Sequence, residues 1–391
     1  MSATDPNLEV WWDSSPLVFE SWRTQMLEAA RPEERVELAA QLLRLWDPEH
    51  PEATLFRGVT TNPPLSLAAI RTDPARWEGW VRSYHESHPG ATNEQVFWAL
   101  YKEIVRLGAA AFRPVHLATG HRYGHISAQV DPRCCFDADK MVAQALELAD
   151  LGENVMIKVP GSREGMTVLR ELTRRGISTN CTLAYTMSQF VAAAEAVQQG
   201  LLEARSSGVD LTCWKSVVTD MSVRWENAAE FEQQAQEAGV QLTVEDRRWA
   251  SIAIFKLAHR TFRQRAYPSK MLICSVRMGP PAAGEGRCWH IEQTAGADAV
   301  FTFPPVFLTT FLRDYNGPDF SAQIRTPVPD AALARLAPIR YFRSGYDLDG
   351  IPVEAFDEIP ALLSTMQEFS KATDGMVAFV SAQLEPAAVH P

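Results

Sequence analysis

Lysine is scarce in this chain: of its 37 basic residues only seven are lysines, at positions 102, 140, 158, 215, 256, 270 and 371. The six cysteines include no Cys-x-x-Cys pair, and the start Met-Ser-Ala-Thr-Asp-Pro lacks the charged and apolar regions of a secretory signal. Reduced thiols and a cytoplasmic location are therefore expected. No apolar run approaches 18 residues, so a membrane role is not expected. Basic excess is missing too. With 37 Lys+Arg against 48 Asp+Glu the formal charge is -11, which offers no broad positive field to nucleic acid or anionic lipid. Neither a Gly-x-Gly-x-x-Gly nor a Walker sequence follows any apolar run, which removes support for a nucleotide cofactor. A small-molecule substrate is the default that remains.

What the chain does contain is a rhythm. Eight short apolar, β-branched runs ending in polar residues recur at 8–13, 55–62, 125–131, 154–159, 177–183, 211–219, 271–277 and 299–303. Longer segments between them, such as 137–151 and 187–204, carry apolar residues at three and four spacing and are expected to be helices. In 163–175 the basic pair Arg174 and Arg175 before Gly176 marks a helix end. Parallel strands need helix-length, right-handed returns, so eight such units predict an α/β fold, a (β/α)8 TIM barrel, with a doubly wound open sheet as competitor. The barrel is expected over 1–317, with helical insertions at about 64–124 and 220–270. A Pro-punctuated C-terminal covering segment, 318–391, is expected to pack on it and to end in a helix near 360–384; a small appended domain is the alternative.

If the strands close, their polar C-terminal ends converge on one mouth. Those ends supply Asp13, Asn62, Gln129 with Asp131, Lys158, Asn180 with Thr182, Thr219 and Arg277. Lys158 stands out because Val155-Met-Ile-Lys-Val-Pro160 is apolar, and burial there lowers an ammonium pKa. A neutral amine attacks a carbonyl to form a Schiff base, whose iminium is an electron sink for carbon–carbon cleavage. The bland alternative is a lysine that snorkels or pairs with Glu164 or Asp131. Lys215 and Lys270 lie at strand starts on the opposite rim and are expected to be solvated. Arg224 and Arg277 follow apolar runs and have the planar donors that grip phosphate.

Three histidines, His116, His121 and His125, crowd one Gly-containing stretch, but their spacing is no metal signature and no second Cys/His cluster is apparent, so no metal is expected. Vicinal Cys134 and Cys135 are expected to be partly buried thiols, and the Trp pairs at 11–12 and 77/80 core or interface aromatics.

These residues are similar to a known family. Val59-Thr-Thr-Asn-Pro63, Ser127-Ala-Gln-Val-Asp-Pro-Arg133, Ile157-Lys-Val-Pro-Gly-Ser-Arg-Glu-Gly165 and Asn180-Cys-Thr-Leu183 resemble motifs of the transaldolases, Schiff-base-forming (β/α)8 barrels. The likeness extends through Ser216-Val-Val-Thr-Asp-Met-Ser-Val-Arg224 to Cys274-Ser-Val-Arg277. It implies that Lys158 forms the iminium with a ketose, that Asp13 moves protons to and from the sugar hydroxyl, and that Asn62 and Asn180 hold hydroxyls near the imine. Thr182 would position a water, Thr219 would line the sugar site, and Arg224 and Arg277 would bind the acceptor's phosphate. The resemblance implies sugar-phosphate substrates, no cofactor and a homodimer.

Two departures qualify it. Gln129 stands where transaldolases carry a proton-relaying glutamate, whereas the related fructose 6-phosphate aldolases carry Gln there. Direct aldol cleavage or addition, with Tyr185 aiding protonation, is therefore a serious alternative, and a non-catalytic sugar-phosphate-binding protein a third. Asp220 and Met221 replace the usual aromatic pair and are expected to reshape and charge the site wall, which points to a specialised member.

Overall fold

The eight apolar runs form parallel strands that close on themselves in sequence order, β1 (Glu9–Asp13), β2 (Phe56–Thr60), β3 (His125–Gln129), β4 (Val155–Pro160), β5 (Thr179–Ala184), β6 (Ser216–Asp220), β7 (Lys270–Ile273) and β8 (Val300–Phe303). β1 pairs with both β2 and β8, so no strand edge is left open and the open-sheet alternative is excluded. The coordinates are those of a computed structural model, which describes residues 1–384.

Helices fill every return. After β1 come α1 (Phe19–Ala29) and α2 (Arg35–Leu45); after β2, α3 (Pro63–Thr72), α4 (Pro74–Ser87) and α5 (Asn93–Ala118). One helix each follows the next three strands: α6 (Ala138–Ala149), α7 (Arg163–Arg174) and α8 (Met187–Ser206). β6 is followed by α9 (Ser222–Glu226), α10 (Ala229–Glu237) and α11 (Val244–Gln264), and β7 by α12 (Trp289–Glu292). Beyond β8 run α13 (Pro305–Asp314), α14 (Asp330–Leu336), α15 (Arg340–Tyr346) and α16 (Pro360–Leu384).

Local chemistry sets these boundaries. Side chains of Asn62, Ser162 and Thr186 accept the free backbone N–H groups at the starts of α3, α7 and α8. α7 stops where expected, with Gly176 in the left-handed region at φ 75°. Gly165 lets the first turn of α7 press on the end of β4, since a Cβ there would lie 1.8 Å from the carbonyl oxygen of Pro160. Trp11, Trp12 and Trp77 are core residues, Cys134 is half-buried and Cys135 buried. The 64–124 stretch becomes α3, α4 and α5, and α16 lies across all three and against β5. No helix among the described residues is long and apolar enough to cross a membrane.

Two expectations need correction. Of the run 211–219 only Ser216 onward is strand, because Leu211–Trp214 forms a turn closed by the Trp214 N–H on the Leu211 carbonyl. Lys215 and Lys270 are not solvated. They converge at the N-terminal end of the barrel on buried Glu9, Lys215 Nζ at 2.8 and 2.7 Å from its two oxygens and Lys270 Nζ at 3.0 Å. Trp11 Nε1 donates to the same carboxylate at 2.9 Å. The ammoniums outweigh the burial penalty and hold the Glu9 carboxyl down at about 2.

Candidate active site

At the other end, strand register stacks the polar residues. Gln129 is paired with Lys158 and Lys158 with Asn180 across adjacent strands, so these side chains share one level and one face. Lys158 is buried, and its Nζ donates to the carbonyl of Thr61 at 3.1 Å. No salt bridge reaches it among the described residues; neither Glu164, paired with Arg163, nor Asp131, paired with Arg133, is its partner. Burial lowers its pKa, with the nearby Asp13 carboxylate opposing.

Asp13 Oδ1 accepts from Thr60 Oγ1 at 2.6 Å, and Thr60 also meets Thr302 at 2.6 Å. Burial pushes the Asp13 carboxyl upward, against the pull of Lys158. Asn62 spends Oδ1 on the cap of α3, at 2.9 Å from Leu65 N, so its amide NH2 is the end left for a ligand. Asn180 is fixed between neighbours: its Nδ2 donates to Ser127 Oγ at 2.9 Å and its Oδ1 accepts from Thr219 Oγ1 at 2.7 Å.

A cavity of about 190 Å³ opens over Lys158, lined among others by Asp13, Asn62, Thr219, Arg224 and Arg277. A second, outer hollow of about 560 Å³ shares Arg224, Ser275 and Arg277 with it. Between the two stands an ion pair absent from the sequence reading. Glu368, on α16, takes the guanidinium of Arg224 with both oxygens, at 2.5 and 2.9 Å, while the ring of Phe369 lies 5.3 Å from the same group. Arg277 pairs with no carboxylate among the described residues; its backbone N–H donates to His290 Nδ1 at 3.1 Å, and its carbonyl accepts from Arg248 Nη1 at 3.0 Å. Those two side chains rest on buried Glu226, with His290 Nε2 at 2.7 Å and Arg248 Nε at 3.3 Å.

Not every expected residue lines the cavity. Gln129, Thr182 and Asn180 are buried beneath it, Thr182 with its Oγ1 3.7 Å from Met221 Sδ and Gln129 with its Oε1 unpartnered. Tyr185 is turned to the tail helix, where its hydroxyl donates to Thr365 at 2.8 Å; burial raises its pKa. Met221 does line the wall, but Asp220 adds no charge to it. By strand alternation Asp220 faces away from the side of Thr219, and burial pushes its carboxyl up to about 8, which favours the uncharged form. Thr60, Cys274 and Ser275 also line the cavity and its rim. Their strand-end positions were the available signal, whereas Glu368 and Phe369 had none, since the tail meets the mouth only in three dimensions.

Comparison with known proteins agrees with this geometry. Residues 41–352 match the family described as transaldolase/fructose-6-phosphate aldolase. A transaldolase of Thiobacillus denitrificans is 29% identical over 315 residues, covering 77% of this chain and 84% of the relative. Transaldolase 1 of Streptomyces avermitilis is 31% identical over 210 residues, 53% of this chain and 54% of that protein. Transaldolase 1 of Streptomyces coelicolor is 31% identical over 267 residues, 64% and 68%. With an eight-stranded parallel barrel, a buried lysine on its fourth strand and a match over most of its length, the chain belongs to the transaldolase/fructose-6-phosphate aldolase family.

Proposed function

We propose that this chain transfers a three-carbon dihydroxyacetone unit from a ketose phosphate to an aldose phosphate through a Schiff base on Lys158. The observation that carries the reading is a buried lysine with no salt bridge, at the floor of a cavity it shares with Asp13. Neutral Nζ adds to the ketose C2 carbonyl, and loss of water gives the iminium. Asp13 accepts the C4 hydroxyl proton as the C3–C4 bond breaks; the bonding pair enters the iminium to give an enamine, and the shortened aldose leaves. The enamine carbon then attacks the acceptor aldehyde, whose oxygen takes the proton back from Asp13, and water hydrolyses the new iminium. Asn62 and Thr219 orient hydroxyls, with Asn180 holding Thr219 from beneath; Thr182 and Gln129 would serve the water from below the cavity, and Arg277 with Arg224 receives phosphate.

Glu368 makes that last role conditional. A phosphate reaching Arg224 competes with a carboxylate that already holds both terminal guanidinium nitrogens. The site therefore favours substrates whose charge is carried by Arg277 alone, unless the phosphate competes successfully.

The second reading, aldol cleavage or addition without transfer, rests on Gln129. An amide cannot shuttle a proton through water as a carboxylate does, which slows the steps that follow enamine formation. In that reading Tyr185 would need to leave Thr365 to reach the substrate.

Borohydride trapping with fructose 6-phosphate, sedoheptulose 7-phosphate or dihydroxyacetone, read by peptide mass spectrometry, tests the chemistry. A reduced three-carbon adduct on Lys158, absent in Lys158→Ala, is the expected result, and an aldehyde acceptor screen then separates transfer from release. Saturable sugar-phosphate binding without adduct, undiminished in Lys158→Ala, would instead identify a binding protein.

A further inference from the structure

A second convergence of reactive side chains lies at the N-terminal rim of the barrel. His116 occupies the last turn of α5, His121 follows it in a turn at φ 67°, and Cys213 belongs to the turn that leads into β6. One ligand atom from each of the three lies within 4.8 Å of the others. His116 is fully enclosed. Its Nδ1 is 2.8 Å from the carbonyl oxygen of Tyr123, which accepts only, so Nδ1 carries the proton and Nε2 is a bare lone pair. That Nε2 is buried without a partner, and so is Nδ1 of His121.

The surroundings fix this arrangement. Gly124, at φ 80°, passes so close beneath His116 that a Cβ would lie 2.4 Å from the histidine's backbone nitrogen. The ring of His125 meets that of His116 edge-on at 4.8 Å and approaches the Cys213 carbonyl with Nε2 at 3.0 Å, while Ser178 Oγ donates to the same carbonyl at 3.3 Å. A buried polar group left unpaired costs roughly 1–3 kcal/mol, and here two orphaned imidazole nitrogens stand beside one thiol. Metal-ligating histidines characteristically donate their second ring N–H to a carbonyl, as His116 does.

We propose that His116, His121 and Cys213 bind a zinc-class divalent cation, with water in the fourth position. Two imidazoles and a thiolate are borderline-soft donors suited to tetrahedral Zn²⁺, with Zn–N of about 2.0–2.1 Å and Zn–S of about 2.3 Å. His121 and Cys213 are half-buried on turns, so they supply the small closure these bonds require. Glu153 and Asp210 lie near the Cys213 sulfur and add negative potential; Arg113 near His116 opposes it, and His125, which burial pushes down to about 3, adds no charge. A free cysteine is a thiol at neutral pH. On binding, the S–H bond breaks, an S–Zn bond forms and one proton goes to buffer. The cation fastens the α5–β3 turn to the α8–β6 connection, at the end of the barrel away from Lys158.

The test uses the full chain, stripped with a chelator and titrated with Zn²⁺ and, for its spectrum, with Co²⁺. The expected result is one equivalent of metal, a thiolate-to-cobalt charge-transfer band, one proton released per ion and protection of Cys213 from alkylation by zinc. Cys213→Ser and His121→Ala should each lose affinity by more than roughly the 10–100-fold that a supporting contact is worth, with circular dichroism and the Lys158 adduct unchanged. Absence of the charge-transfer band in the wild-type chain, or of zinc protection at Cys213, would overturn the proposal without recourse to any variant. Equal affinity in both variants would also overturn it, by placing the metal elsewhere.

Discussion

At the N-terminal end of the barrel Lys215 and Lys270 share the carboxylate of Glu9, whereas at the mouth Lys158 is more deeply enclosed and, among the described residues, bonds only to the carbonyl of Thr61. Each of the three lysines is desolvated to some degree, and the difference lies in what offsets it. Glu9, bonded to both lysines and to Trp11, keeps its charge, and Lys270 is held above its ordinary pKa by Glu9 and Asp298. Burial moves both Lys215 and Lys158 toward the neutral amine, but Lys215 is bonded to a carboxylate whereas Lys158 is bonded to a carbonyl. One end spends its charges on holding strands together; the other keeps a lysine chemically available.

The contrast breaks most visibly at its two lysine sites. Lys158→Ala is expected to cut turnover on the order of 10⁴–10⁶-fold, as for loss of a nucleophile, while the thermal midpoint stays level or rises because a buried polar group bonded to one carbonyl is gone. Glu9→Gln should do the reverse. It strands two ammoniums and is expected to cost about 3–5 kcal/mol in denaturant unfolding, with Lys158 trapping unchanged in the folded fraction.

The same carboxylate sets an acid dependence. Glu9 is held at about 2 against an ordinary 4.5, a depressed value, so its stabilisation is complete above pH 4.5 and is lost as the pH falls through about 2. Unfolding free energy should lose about 3 kcal/mol across that window in the wild type and less in Glu9→Gln.

At the mouth, Gln129→Glu is expected to raise transfer to an acceptor about 100-fold, the lower end of what acid–base assistance supplies, without changing donor trapping. An unchanged transfer rate would favour the aldolase reading. The smallest effect is that of Glu368→Gln, which frees Arg224 and should lower KM for phosphorylated sugars roughly tenfold, in keeping with one charge-assisted hydrogen bond, with little change in kcat. A rise in KM would mean that Glu368 orients Arg224 rather than competing for it.

Sequence reasoning was strongest where a feature depends on near neighbours. The apolar run around Lys158, the polar strand ends and the caps of α3 and α7 all lie within a few residues of what they determine. It failed where partners are remote. Lys215 was placed on the correct rim, but its burial depends on Glu9, some two hundred positions earlier. Asp220 does not charge the wall because strand alternation turns it away from the side of Thr219, and Glu368 reaches Arg224 from a tail that carries no motif. The approach of Cys213 to His116 and His121 is remote in the same way, since β3, β4 and β5 all lie between them in the chain.

The tail helix also binds two segments into a single inheritance. α16 lies on α3, α4 and α5, where Asn93 Nδ2 donates to Ser381 Oγ at 2.8 Å and Arg82 Nη2 donates to Gln383 Oε1 at 3.1 Å, and the same helix delivers Glu368 and Phe369 to the mouth. Transplanting the tail onto another barrel would leave it without a seat, and transplanting the 64–124 helices would leave them without a cover. Recombination among relatives can therefore exchange the specificity of this site only by carrying both segments across together.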